Sequence, residues 1–383
     1  MTSRAGRSAA AGTLSARRSD GSSRGTGSRC EPDDARASRQ PEAHGRALER
    51  RARRRPDGAR PHRRATSPRE RGPMRFGLFT SLAYTTWDDV RALWLEADGA
   101  GWDAACVTDH FMPNTADRMG DSLECWTALA ALASQTARMR IGTIVAGNTY
   151  RHPAVVAKMA ANVDIISGGR LICGMGAGWQ ENEHRAYGIE FYTVAERLAR
   201  LEEACRVLKA LWTETKATFK GRYYQLDDAP LQPKPIQRPH PELMIGGGGE
   251  KVTLRIAARH ADHWNTWGGP ETLARKNRIL DEHCAVVGRD PRSILRSGVM
   301  PVVITSDRAA VAKVERAYMT RLGADEAKAR DTVLGGTVAE IKDKLARLQE
   351  AGVGMLFIPT MFLPADRRPT LDRFIAEVAP AFR

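Results

Sequence analysis

From residue 74 onward, short apolar and β-branched runs alternate with longer stretches in which apolar side chains recur every three or four positions. That alternation is the signature of parallel βα units. Eight runs read as strands, at 75–79, 103–107, 140–145, 171–175, 243–246, 262–265, 298–304 and 354–359. Between the first two, Thr86-Trp87-Asp88-Asp89 opens a helix with a capping-box-like pattern. Val90, Leu93, Trp94 and Ala97 give that helix one apolar face, and Gly101 can end it in the left-handed conformation.

The segment 195–214 spaces Leu198, Leu201, Cys205, Leu208 and Trp212 by threes and fours, with Glu202 and Arg206 expected to pair on the opposite face. Thr337 and Glu340 predict another capped helix, carrying Val338, Ile341, Leu345 and Leu348 to Gly352 and the last strand. Eight strands with helices between them predict an α/β chain folded as a (β/α)8 TIM barrel with inserted loops; an open doubly wound sheet is the alternative. The stretch 215–242 holds Tyr223, Tyr224 and five prolines, too much chain for an ordinary connection. It is expected to be an inserted loop near an active-site rim.

Charge divides the chain at Met74. The 383 residues carry a net +14, but residues 1–73 hold 19 arginines against 8 acidic residues, leaving 40 basic and 37 acidic residues for 74–383. The first segment contains no Ile, Val, Phe, Tyr or Trp, so it cannot bury enough apolar surface to offset chain entropy. It is expected to be a disordered, Arg-rich extension, either a solvated tail or upstream sequence preceding a true start at Met74. The cluster Arg50-Arg51-Ala52-Arg53-Arg54-Arg55 raises the third reading, a nucleic-acid patch, but no aromatic residue interleaves the arginines to stack on bases.

Residues 74–383 suffice for a barrel oxidoreductase domain whose core needs no staples. Six cysteines without a Cys-x-x-Cys pair or a Cys/His quartet argue against a disulfide framework and against a metal site, and suggest a reducing, cytoplasmic setting. No apolar run has the length of a membrane span.

Candidate chemistry sits after the strands. Thr108-Asp109-His110-Phe111 follows the second strand, which puts His110 at the barrel mouth, where an imidazole can exchange a proton or simply be a satisfied structural side chain. His152, before Pro153, looks like a helix cap. Two glycine turns also follow strands: Gly174-Met175-Gly176-Ala177-Gly178 and Gly246-Gly247-Gly248-Gly249. Glycines let backbone approach a ligand, and amides at a helix start suit a phosphate. Trp179 and Lys251 occupy the last-glycine positions of a dinucleotide fingerprint, which argues against a Rossmann site. Trp126 and Trp179 could line an apolar pocket or pack in the core.

Thr108-Asp109-His110-Phe111, Leu123-Glu124-Cys125-Trp126, Tyr150-Arg151-His152-Pro153-Ala154, Ser167-Gly168-Gly169-Arg170-Leu171 and the run Gly174 to Trp179 together resemble the bacterial luciferase-like superfamily. More narrowly they resemble its branch that uses the deazaflavin coenzyme F420, over essentially all of 74–383. The resemblance implies that Asp109 and His110 hold the deazaflavin and that His110 is the acid/base group. It implies a cis peptide at Ile144-Val145 behind the ring, cofactor contacts at Ala177, Gly178 and Asn182, and a phosphate loop at Gly246 to Gly249. Against the branch's sugar-phosphate dehydrogenases, Asn114 stands for the active-site Trp and Trp179 for the catalytic Glu, so glucose 6-phosphate is not the expected substrate. Asn114, Trp126 and Trp179 are the candidate substrate-pocket residues.

The sequence therefore predicts an F420-dependent oxidoreductase transferring a hydride between the deazaflavin and a small organic substrate. The alternative is an FMN-dependent, luciferase-type monooxygenase, because both cofactors present a tricyclic ring and a phosphate. The resemblance further implies a homodimer.

Overall fold

In the computed structural model, which describes residues 72–383 apart from 116, the predicted strands close into a barrel. The Arg-rich extension lies outside the described residues. The barrel strands are β1 (Arg75–Thr80), β2 (Ala104–Val107), β3 (Arg140–Thr143), β4 (Leu171–Gly176), β5 (Glu242–Gly246), β6 (His263–Trp267), β7 (Leu295–Val299) and β8 (Met355–Pro359). Each pairs in parallel with its sequence neighbours, and β8 pairs back onto β1 with Arg75 opposite Met355. This is the (β/α)8 TIM barrel.

Alternation along the strands builds two cores. Phe76 and Leu78 face the helices and join Trp94, Trp102 and Phe374 in the outer layer, whereas Phe79, Cys106, Ile172, Met244, Val299 and Phe357 fill the interior. A Cβ on Gly77 would lie 2.7 Å from the Phe357 ring, so the absence of a side chain there is what admits that ring. Polar contacts help to close the N-terminal end of the barrel, beside Ala104, Met355 and Leu295. Glu242 bridges Arg140 and His263 Nδ1, the latter at 2.8 Å, and His263 Nε2 meets Ser297 Oγ at 2.6 Å.

The helix over Trp87–Ala100 starts at Thr86, whose side chain accepts from the Asp89 amide, and ends at Gly101 with φ 94°. Val338–Glu350 carries the full Thr337/Glu340 capping box. Three expectations are corrected. The run 298–304 is not one strand: β7 ends at Val299, and after Met300-Pro301 the segment Val302–Ile304 pairs with Leu334–Gly336 in a separate small sheet. Proline offers no amide to a ladder, which accounts for the break. The stretch 215–242 is not merely a loop but contains an antiparallel hairpin, Lys216–Lys220 with Gln225–Pro230. Its Tyr224 hydroxyl accepts from Asn148 at 3.2 Å near the barrel mouth, yet no residue of the insert lines the cavity there. Finally, Glu202 pairs with Arg259 instead of Arg206, whose guanidinium lies 4.8 Å from the centroid of the hairpin's Phe219 ring. Neighbouring elements offered each side chain a better partner than the i,i+4 contact. No helix among the described residues is long and apolar enough to cross a membrane.

Candidate active site

The C-terminal ends of the strands surround a cavity of about 550 Å³. The chain leaving β2 supplies its key groups. Thr108 extends the ladder by donating its amide to Thr80 O at 3.1 Å, and its hydroxyl accepts from the Leu82 amide at 3.2 Å. The next two side chains then diverge.

Asp109 is buried and fully engaged. Arg151 Nη1 donates to both its oxygens, at 3.1 and 2.8 Å, and the Gly147 amide donates at 3.1 Å. Burial is the largest influence on this carboxyl and raises its pKa, with Arg151 and the Gly147 amide pulling the other way. Arg151 also donates to Glu124 at 2.6 Å, and Glu124 caps the helix Cys125–Gln135. The chain Glu124–Arg151–Asp109–Gly147 thus ties the loops after β2 and β3 together.

His110 lines the cavity, and its Nδ1 lies 3.0 Å from Glu183 Oε2. Glu183 is fully buried. Its other oxygen accepts the amides of Phe111 and, at 3.2 Å, Met112, while the Tyr150 hydroxyl donates to Oε2. Burial works against the ionised form, but the bonds from His110, Tyr150 and Phe111 outweigh it and hold the carboxyl below its ordinary pKa. Burial and the bond to Glu183 push the Tyr150 phenol upward. An ionised carboxylate only accepts hydrogen bonds, so the network assigns the proton of a neutral His110 to Nδ1. Nε2 is then left with a lone pair and no protein partner among the described residues. Trp179, 61% exposed, sets its indole edge-to-face against the imidazole at 5.6 Å.

Across the mouth, β5 runs into Gly246-Gly247-Gly248 and then the helix Thr253–His260, which has no side-chain N-cap. Gly247 has φ +127°, and a Cβ on Gly248 would lie 2.9 Å from Thr266 Oγ1. The turn therefore requires glycine. The Gly247 amide is used by Asn265 O, but those of Gly248 and Gly249 have no protein acceptor among the described residues. Free amides beside an uncapped helix start are the donor set a phosphate takes.

Of the residues expected at the site, Asp109, His110, Asn114, Ile144, Val145, Ala177, Gly178, Trp179, Gly246, Gly247 and Gly248 all line this one cavity. The Ile144–Val145 peptide is cis, between β3 and the resumed pairing at Ala146–Gly147. Three others do not line it. Gly249 lies just past the lining of the turn, and Asn182 accepts its neighbour's amide at 2.9 Å. Trp126 is buried in the outer core. Glu183, Trp267 and Arg321 are not picked out by sequence, and Tyr150 and Arg151 stand there only within a resemblance motif, without a role; Glu183 reaches His110 across 73 residues, and no local pattern signals such a contact.

A family model described as luciferase-like monooxygenase matches residues 74–362. The chain belongs to that family. It is 36% identical over 192 residues to an F420-dependent glucose-6-phosphate dehydrogenase of Kineococcus radiotolerans, a match covering 50% of this chain and 55% of that protein. It is 30% identical over 262 residues to an FMNH2-dependent dimethylsulfone monooxygenase of Pseudomonas putida, covering 68% of each. The Kineococcus match thus spans about half the length of that relative. The fold is shared with an F420-dependent secondary alcohol dehydrogenase solved with an F420–acetone adduct, at TM-score 0.72 and 24% identity, covering 82% of this chain and 100% of that one.

Proposed function

We infer that the protein is a coenzyme F420-dependent oxidoreductase acting on a small organic substrate. The observation that carries this reading is the His110–Glu183 pair at a cavity whose far side holds a glycine turn with free amides. The site fits a phosphate-bearing ring cofactor: Gly246, Gly247 and Gly248 would cradle the phosphate, and Ile144, Val145, Ala177 and Gly178 would border the ring. When bound, the deazaflavin supplies the site that accepts or donates a hydride.

The chain's own work is to hold one proton. His110 Nε2, unencumbered and facing the cavity, takes the hydroxyl proton of an alcohol, or in its charged form returns a proton to a carbonyl oxygen. Glu183 keeps the imidazole in the required tautomer and orientation. Asp109 acts here by anchoring the loops rather than by titrating, because Arg151 and Gly147 occupy it. The reading that implies F420 also implies a cytoplasmic homodimer.

Reduced FMN is the second reading, supported by the Pseudomonas relative. Mixing protein and oxidised F420 with a panel of small alcohols, and reduced F420 with ketones, tests the proposal through the visible absorbance of the deazaflavin. Absorbance change with a member of either panel supports it. Oxygen-dependent consumption of reduced FMN with formation of a hydroxylated product, and no deazaflavin change, would favour the monooxygenase.

A further inference from the structure

Arg321 is the sole lysine or arginine among the described residues lining the cavity. It sits in the last turn of the helix Arg308–Leu322, in the chain between β7 and β8. Two other long cations close to this mouth are committed: Arg151 to Asp109 and Glu124, Lys276 to Glu250 and the Gly248 carbonyl. Among the described residues Arg321 has neither hydrogen bond nor ion pair, and the ionisable group whose charge acts on it is the Tyr84 phenol, not a carboxylate. The helix C-terminus favours a cation in its last turn but satisfies none of the guanidinium's five donors.

Arg321 is solvent-exposed at the rim, and the cavity it borders is largely apolar. Leu322, Trp267, Met361, Phe79 and Met112 line the same cavity, and the one acidic residue there, Asp109, is already paired. The position also separates Arg321 from the phosphate turn. Tyr84 follows β1 and Met361 follows β8, whereas Gly246 to Gly248 follow β5, which stands four strands from β1 whichever way the barrel is circled. The Tyr84 side of Arg321 thus lies across the mouth from the glycine turn. One guanidinium with no second cation lining the cavity matches the single charge of a carboxylate, which its planar fork can take bidentately.

We propose that Arg321 is the specificity group of the substrate end, and that the protein acts on organic molecules bearing a carboxylate, which Arg321 binds while an apolar stem crosses the cavity toward His110. The substrate assignment rests on the oxidoreductase reading, but the binding site does not require it. The test uses the cavity's own indoles: titrate the protein, with and without F420, with levulinate and octanoate and with the matching neutral amides, following tryptophan fluorescence. The wild type is expected to prefer at least one acid over its amide by about tenfold or more, the range of hydrogen bonds to charged groups. Arg321→Gln should erase that preference, Arg321→Lys should restore part of it, and F420 affinity should be unchanged in both.

Equal binding of acids and amides by the wild type, or no saturable binding of either acid, overturns the proposal. So does an Arg321→Gln variant that keeps the acid preference, whether or not it binds F420. An acid preference that depends on Arg321 in a protein that does not bind F420 would sustain this site while refuting the cofactor assignment.

Discussion

Glu183 holds the Nδ1 of His110 at 3.0 Å from a fully buried position, and it is the same carboxylate that gathers the amides of Phe111 and Met112 and the hydroxyl of Tyr150. One side chain thereby fixes the imidazole, the backbone that follows it and the tyrosine beside it. His110→Ala removes the proton-handling group but none of these supports. Turnover should fall by about 100- to 10,000-fold, the usual worth of general acid–base catalysis, while deazaflavin affinity and melting temperature stay near wild type. Steady-state kinetics with a parallel binding titration check this; unchanged turnover would remove His110 from its role.

Replacing Glu183 should affect both activity and stability. Glu183→Ala leaves four donors without their acceptor, the His110 Nδ1–H, the Phe111 and Met112 amides and the Tyr150 hydroxyl, at about 1–3 kcal/mol for each that stays buried and unsatisfied. Glu183→Gln keeps the shape but not the charge that selects the tautomer. The alanine variant should unfold at distinctly lower denaturant, and the glutamine variant should retain most stability yet lose turnover. A glutamine variant with full activity would show that the charge is dispensable.

Arg151 faces a different loss. Arg151→Ala strands Asp109 as a buried, unpaired charge, a change that typically costs about 3–5 kcal/mol. Adding Asp109→Asn should recover part of that, because the uncompensated charge is gone. A double-mutant cycle by urea unfolding measures the coupling; additive losses would mean that the pair does not act as a unit.

The polar floor of the barrel predicts an acid limb of stability. Burial alone would raise the Glu242 carboxyl, but the bond and charge of His263 and the charges of Arg140 and Arg75 draw it down to about 2. A depressed carboxyl contributes stability that is complete above the ordinary glutamate value of about 4.3 and is lost as pH falls below it. Melting temperature should therefore drop between those two values, and Glu242→Gln should flatten that slope. An unaltered slope in the variant would assign the acid limb to other groups.

Much of the barrel was legible because its strands and helix caps are local signals: Thr86, Gly101 and the Thr337/Glu340 box each declare a boundary within a few residues. The break at Pro301 was also written in the chain, but the apolar run on both sides masked it. The glycine turns and His110 could be placed at the mouth because strand ends fix them. Glu183 and Arg321 could not, since each acquires its role only when distant segments converge, and a buried carboxylate has the same local sequence as a solvated one. Trp126 illustrates the converse: an indole looks the same in a pocket wall and in a core, and here the helix Cys125–Gln135 turns it into the core.

The central claim is most directly tested by equilibrium dialysis of the full chain against an equimolar mixture of F420 and FMN, with the retained ligand identified by its absorbance spectrum. The account predicts that F420 is retained at one per chain and FMN is not. Retention of FMN with exclusion of F420 would contradict it.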